Sequence, residues 1–261
     1  KPQYGNPKPR VFRLEEDEAL INRLGFNNSG SDEISLRIKK EIKKGFLGIN
    51  IGPNKDSQNR IEDYLICFRK LHTLGDYITI NISSPNTENL RDFHNKSELN
   101  SLIKKLKEEK KKLNSKIPIA IKVSPDLNED QIDNVAKILL DEEIEIIIIS
   151  NTSEKNRDNL KNINKLEKGG LSGKPIQEIS NNTIFKFYKI LGNKIKIIGV
   201  GGVNSGQAAF EKIICGASLV QLYTGMVYRG PGIASQINSE LIDILKNKGF
   251  KNISEAIGTK N

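Results

Sequence analysis

The sequence predicts an α/β protein built as a (β/α)8 barrel, short of its first two strands. Three observations lead there. The chain, 261 residues and 29.2 kDa, is close to the ~250 residues of a typical barrel. Six apolar runs alternate with segments of helical period, as in a parallel sheet covered by helices. The last two runs end at Gly201-Gly202 and Tyr223-Thr224-Gly225, where barrels hold phosphate on backbone N–H groups.

In chain order, an irregular opening with Pro2, Pro7 and Pro9 precedes the first run. The strands are predicted at Phe46 to Ile51, Asp76 to Ile82, Ile117 to Val123, Glu143 to Ile149, Ile195 to Val200 and Ser218 to Tyr223. Leu99, Leu102, Ile103, Leu106 and Leu113 form a helical apolar stripe, and Ser97 before Glu98 marks its start. Asn128 reads as an N-cap followed by Glu129 and Asp130, with Ile132, Val135, Ala136, Leu139 and Leu140 on one face. Ser205 before Gly206 is a similar start. No linker divides the chain, so residues 1–261 are expected to form one domain. Six strands leave two to be supplied before Lys1, which makes the last two visible strands the seventh and eighth.

The glycines argue against the alternatives. Gly199-Val200-Gly201-Gly202-Val203-Asn204 has Asn where a dinucleotide fingerprint needs its third Gly, and it lies late in the chain. Gly169 to Lys174 fails the P-loop pattern, because Lys168 stands at the first Gly position and Pro175 follows the lysine.

Composition narrows the function classes. Hydrophobic residues at 36 % with 28 % charged describe a globular chain. No apolar run approaches the ~20 residues that cross a bilayer, and no leader peptide is expected. The chain begins at Lys1 and its one methionine is Met226, which points to a fragment of a longer protein. The net charge of +9 does not imply nucleic acid. Much of it sits on Lys104, Lys105, Lys107, Lys110, Lys111 and Lys112, the wet face of the leucine stripe, and aromatics are not interleaved with basic residues as a base-stacking platform needs. Cys67 and Cys215 lack CxxC spacing and read as reduced structural thiols.

Reactive groups of a barrel sit at the C-terminal ends of its strands. Here those positions hold Asn50, Asn81 through Thr87, Lys122, Ser150-Asn151-Thr152, Gly201-Gly202 and Tyr223-Thr224. This ring of amides, hydroxyls and one lysine contains no metal-ligating cluster. It suits a planar, polar, anionic ligand, since Asn offers a donor and an acceptor together. Lys122, on an otherwise apolar strand, needs a bound anion or electron-rich cofactor, or a core carboxylate, to justify its burial. His72 and His94 are expected at a helix end and in a loop, without a role.

The residues also resemble a known family, the dihydroorotate dehydrogenases, in the quinone-linked class 2 form, over essentially the whole chain. The matching stretches are Lys1-Pro2-Gln3, Gly5 to Arg10, Asn22 to Asn27, Asn81 to Thr87, Gly169 to Pro175, Gly199 to Val203 and Gln221 to Thr224. The resemblance implies a TIM barrel carrying FMN that oxidises dihydroorotate to orotate, the fourth step of pyrimidine (UMP) biosynthesis, and passes electrons to a membrane quinone. It implies Ser84 as catalytic base, helped by a relay through Thr87 and water. Orotate-contacting positions would be Asn22, Phe26, Asn81, Asn86, Asn151 and Thr152. FMN-contacting positions would be Asn50, Asn81, Lys122, Ser150, Ser172, Gly173, Gly201, Gly202, Tyr223 and Thr224. Class 1 relatives use cysteine as base, and neither cysteine here lies at a suitable strand end. Relatives carry two further strands and an N-terminal helical pair before the position of Lys1. The pair implies peripheral membrane association, on the cytoplasmic face of a bacterial inner membrane or in the mitochondrial inner membrane of a eukaryote. An incomplete barrel exposes two strand edges, so this chain alone is expected to be aggregation-prone and inactive. The alternatives are another FMN- or phosphate-binding barrel oxidoreductase with a different acceptor, or an inactive fragment.

Overall fold

Runs of isoleucine and valine, too short for buried helices, become strands, and the amphipathic segments between them return the chain to the same edge. The computed structural model describes residues 1–41, 45–86, 90–155 and 157–260. In chain order the elements are β1 (Val11–Leu14), β2 (Ala19–Asn22), α1 (Ser31–Lys40), β3 (Gly48–Ile51), α2 (Arg60–Leu71), β4 (Tyr77–Asn81), α3 (Lys96–Lys112), β5 (Ile119–Val123) and α4 (Glu129–Asp141). They continue with β6 (Ile146–Ile149), β7 (Gly170–Gly173), α5 (Gln177–Leu191), β8 (Lys196–Val200), α6 (Gly206–Ile214), β9 (Leu219–Gln221), α7 (Thr224–Arg229) and α8 (Ile233–Asn247).

All six predicted parallel strands form, in the order β3-β4-β5-β6-β8-β9. Among the described residues the sheet is open, with β3 and β9 at its edges. Register is uniform: Ile80 pairs with Ile121, Ile121 with Ile147, and Ile147 with Ile197. Side chains alternate between the faces. Ile49, Ile51, Ile78, Ile80, Ile119, Ile121, Ile147, Ile149 and Ile197 face outward into the main core, against Tyr64, Phe68, Leu102, Leu106, Val135, Leu139 and Phe187 of the helices. Tyr77, Ala120, Ile148 and Ile198 form a separate inner cluster. On that inner face Gln221 Nε2 donates to Tyr77 Oη at 2.9 Å, linking the last strand to the second.

The N-cap expectations divide. Asn128 accepts from the Gln131 N–H at 2.9 Å, and Gln131 reaches back to the Asn128 N–H, a complete capping box. Ser205 accepts from the Ala208 N–H at 3.2 Å. Ser97, however, lies inside α3, which starts at Lys96; the apolar stripe tolerates the extra residues upstream and no side-chain cap is made at Asn95.

Two further expectations are corrected. The opening is not irregular throughout, because β1 and β2 pair antiparallel and β2 pairs in turn with β7. This second sheet has its own core of Leu14, Ala19, Ile21, Leu160, Leu171 and Ile176. The Gly169 to Lys174 stretch, which the sequence marked as a failed P-loop and a family match but not as a strand, supplies its third strand. His94 is not a plain loop residue: it ends a 3-10 turn (Leu90–His94), is 2 % exposed, and its Nε2 has no partner among the described residues.

Burial, assisted by the nearby Arg91 charge, pushes the His94 pKa down to about 4 from its ordinary 6.5. The unfolded chain therefore binds more protons between those values, and stability is lost as pH falls through that window. The loss from about pH 7 to about pH 5 is on the order of 2 kcal/mol. His94→Gln should remove it, and urea denaturation of both proteins at the two pH values measures the difference.

Candidate active site

Each strand delivers its last inward-facing side chain to one rim, and there a cavity of ≈ 470 Å³ opens. Of the positions singled out in the sequence, Asn22, Asn50, Lys122, Ser150, Asn151, Thr152, Ser172, Gly173, Gly201, Gly202, Tyr223 and Thr224 line it. Ser84, Phe26, Asn81 and Asn86 do not line it. Asn81 and Asn86 are joined to it by hydrogen bonds, Ser84 lies between them in sequence, and Phe26 packs on the edge of the main core. Thr87 falls outside the described residues.

One end of the cavity is made of backbone. Strand β8 runs into Gly201 and Gly202, and Gly202 has φ +77°. A Cβ there would lie 2.5 Å from Gln177 Cβ at the start of α5, so only glycine lets the turn approach that helix. After β9, a Cβ on Gly225 would lie 2.4 Å from the Val203 carbonyl oxygen, which brings the two turns into contact. Thr224 Oγ1 donates to Ser172 Oγ at 2.9 Å, tying β7 to the same place. Three backbone segments thus converge closely on a glycine cradle at this end of the cavity, the kind of site where main-chain N–H groups hold phosphate.

On the rim at this end two cations share one carboxylate. Glu18 bridges Lys174 at 3.0 Å and Arg229 at 3.5 Å, and the bond from Lys174 holds its carboxyl below the ordinary range.

At the centre stands Lys122. Its neighbours Ile121 and Val123 face the helices, so strand alternation turns the lysine inward. The core carboxylate that could have explained it is absent among the described residues: no ion pair to Lys122 is made there. Burial alone lowers its pKa. An inward ammonium without a counter-charge is the electrostatic complement of an anionic or electron-rich ligand.

The other end is a cluster of carboxamides and hydroxyls. Asn151 Nδ2 donates to Ser83 Oγ at 3.0 Å and to Asn81 Oδ1 at 3.3 Å, while its own Oδ1 accepts the Thr152 N–H at 2.7 Å. Asn86 Nδ2 donates to the Asn22 carbonyl at 3.0 Å, connecting the loop after β4 to the antiparallel sheet. Buried Tyr64 donates to the Asn81 carbonyl at 2.8 Å. Ser84 is buried, and its Oγ accepts the Asn86 N–H at 3.3 Å. Among the described residues no imidazole or carboxylate bonds to that hydroxyl.

Sequence reasoning missed the device that holds these loops together. Arg91 donates to the Ser83 carbonyl at 3.4 Å, the Thr152 carbonyl at 3.2 Å, Asp126 at 3.1 Å and Glu154 at 2.8 Å. Asp126 in turn accepts from Ser153 Oγ at 2.5 Å and the Glu154 N–H at 3.0 Å. One guanidinium therefore fastens the loops after β4, β5 and β6. Its partners are carbonyls and carboxylates up to 63 residues away, a set that no local pattern encodes. Glu18, Lys174, Tyr228 and Arg229 on the rim were missed for the same reason, since a non-local sheet brings them there.

Comparison with known proteins places the arrangement. The sequence model of the family described as dihydroorotate dehydrogenase matches residues 1–245. A dihydroorotate dehydrogenase (quinone) of Bartonella tribocorum is 44 % identical over 260 residues, covering 98 % of this chain and 72 % of that protein. One from Buchnera aphidicola is 46 % identical over 242 residues, covering 90 % and 72 %. Among solved structures, that of the Eimeria tenella enzyme in complex with ferulenol superposes with a TM-score of 0.96 at 35 % identity, over 99 % of this chain and 76 % of that one.

The Asp126 side chain is only 7 % exposed, so removing its partner strands a buried charge. Arg91→Ala should lower the unfolding free energy by about 3 kcal/mol, whereas the double replacement Arg91→Met with Asp126→Leu should recover most of it. Equilibrium denaturation of the three proteins measures both effects.

Proposed function

The chain belongs to the dihydroorotate dehydrogenase family, and we propose that it oxidises dihydroorotate to orotate in pyrimidine biosynthesis, with FMN held in the strand-end cavity and a quinone as final electron acceptor. One observation carries this reading: a single cavity joins a glycine cradle, an unpaired inward lysine and a carboxamide cluster continuous with the Ser84 loop. The three regions match the three parts of a flavin site, namely phosphate, ring and the substrate stacked beside the ring.

Gly201, Gly202, Tyr223, Thr224, Ser172 and Gly173 would hold the phosphate, with Asn50, Lys122, Asn81 and Ser150 along the ring. Bound FMN supplies the acceptor for the hydride that leaves carbon 6 of the substrate. The chain's own work is at the other carbon. Ser84 Oγ takes the proton from carbon 5. Serine is a weak base, so its hydroxyl proton must move onward as the new one arrives; Thr87 with a water is the proposed route. Asn22, Asn81, Asn86, Asn151 and Thr152 orient the flat, polar substrate with paired donors and acceptors, and Phe26 closes against it. Lys122 would put positive charge beside the flavin ring, where negative charge accumulates when the ring is reduced.

Quinone dependence carries a membrane with it. None of the described helices is long and apolar enough to cross one, and the reading places the enzyme peripherally, on the cytoplasmic face of a bacterial inner membrane or, in a eukaryote, on the mitochondrial inner membrane.

Ser84→Ala should retain FMN yet slow its single-turnover reduction by dihydroorotate about 100-fold or more. Stopped-flow absorbance follows the bleaching of the flavin. Reduction at a near-normal rate would remove Ser84 from the mechanism, and failure of the flavin-loaded protein, joined to the two preceding strands and helical pair that its relatives carry, to couple dihydroorotate to quinone reduction would remove the reading itself.

A further inference from the structure

Helix α6 buries Ala208, Ala209, Phe210 and Ile213, and among them Lys212, whose side chain is 0 % exposed. Among the described residues it forms no ion pair. Its ammonium donates to Ser180 Oγ and to Asn181 Oδ1, each at 2.9 Å, both on α5. Ser180 Oγ donates onward to the Val200 carbonyl at 2.6 Å, and that carbonyl also accepts the Ser150 N–H at 2.9 Å. Val200 is the residue before the glycine cradle. A Cβ on Gly201 would lie 3.2 Å from Ser180 Oγ, and one on Gly199 would lie 3.1 Å from Lys212 Cδ. The lysine stem therefore lies against the end of β8, and its head is one hydroxyl away from the cradle.

A buried ammonium with only neutral partners costs several kcal/mol, and packing alone gives no reason to keep one. On the cavity rim Lys174 and Arg229 both lean on Glu18, which ties their heads to the outer edge of the cradle. Lys212 approaches from behind, held by neutral partners and in no ion pair among the described residues. We infer that Lys212 is a positioning residue for the phosphate end of the cofactor site: through Ser180 it fixes the Val200–Gly202 turn, and its charge favours a phosphorylated flavin over an unphosphorylated one. This rests on the flavin reading above and deepens it.

The surroundings support a pH signature. Burial brings the Lys212 pKa down to about 7. Glu211 and the Cys215 thiol, both of its own segment, are the ionisable groups that bear on it, and Glu211 is held by Gln177 at 2.7 Å and Gln207 at 3.0 Å. From α5 it meets Ser180 and Asn181, from β8 Gly199, and β9 carries no ionisable residue. On the far side of α6, Glu240 of α8 is bound to the Gly206 N–H. A bound phosphate dianion would raise the lysine pKa, so FMN binding takes up a proton and weakens as pH rises above about 7.

The test is release of FMN from the holoenzyme on dilution, read by free-flavin fluorescence, with riboflavin as competitor, between about pH 6.5 and 9. The preference for FMN over riboflavin should fall roughly tenfold across this range, through FMN alone. Lys212→Met should lower FMN affinity roughly tenfold or more near neutral pH, leave riboflavin unchanged and flatten the pH profile. Ser180→Ala leaves the ammonium on Asn181 but cuts its link to the turn, so it should lose part of the preference, and with the unaltered protein it decides the matter if Lys212→Met does not fold. A preference that is flat with pH in the unaltered protein, or equal losses of FMN and riboflavin in the variants, overturns the role of Lys212. No preference for FMN over riboflavin at any pH overturns the flavin-phosphate reading instead.

Discussion

Consecutive side chains of a strand point to opposite faces, and the cavity is what that rule permits at the inner face of a parallel sheet. The outward positions are isoleucines and valines that the helices cover. Each contributes roughly 1.5–3 kcal/mol by burial. The inward positions at the rim are Asn81, Lys122 and Ser150. Placing Lys122 there costs several kcal/mol of lost hydration, less than two or three outward isoleucines return. A slip of one residue in β5 would turn Ile121 and Val123 inward and Lys122 into the apolar layer under the helices. Hydrophobic burial on one face thus fixes a charged group on the other, at a position it would not hold by its own energetics.

What the strands cannot fix, the loops beyond them settle with hydrogen bonds of two kinds. Neutral carboxamides connect the loops after β4 and β6 near the position proposed for the substrate, offering donors and acceptors together. Charged groups do the fastening one layer back. Arg91 grips two main-chain carbonyls and two carboxylates, and Lys212 grips a hydroxyl that grips a carbonyl. In both cases a cation at the rear acts on the geometry of the rim, Arg91 directly on main-chain carbonyls and Lys212 through the Ser180 hydroxyl.

The parallel sheet was legible because its strands are dense in β-branched residues and bounded by polar turns, as Ile146–Ile149 between Glu145 and Ser150 shows. Helix α4 was legible from its capping box. The antiparallel sheet was not: β7 is Gly-Leu-Ser-Gly, which has no strand signature alone, and its partner β2 lies far back in the chain. His94 looked like a loop residue because a short 3-10 turn leaves no periodic trace. The strand-end amides and glycines were visible as a ring once the strands were counted, since chain order fixes which ends share a rim. Lys212 could have been noticed as the one charge on the apolar face of a short helix, but what it touches depends on α5 folding beside it.

Pairing of β2 with β7 joins Ala19–Asn22 to Gly170–Gly173, so the roof of the cavity is assembled from opposite parts of the chain. During synthesis β1 and β2 leave the ribosome early and then wait for about 150 further residues, roughly 10–30 s at ordinary rates of elongation. Throughout that interval one edge of β2 has no partner, while four strands of the parallel sheet are already available to pair with one another. The roof can therefore form only after most of the parallel sheet exists, and the glycine turns after β8 and β9 follow later still, so the proposed flavin meets a whole site only near the end of synthesis.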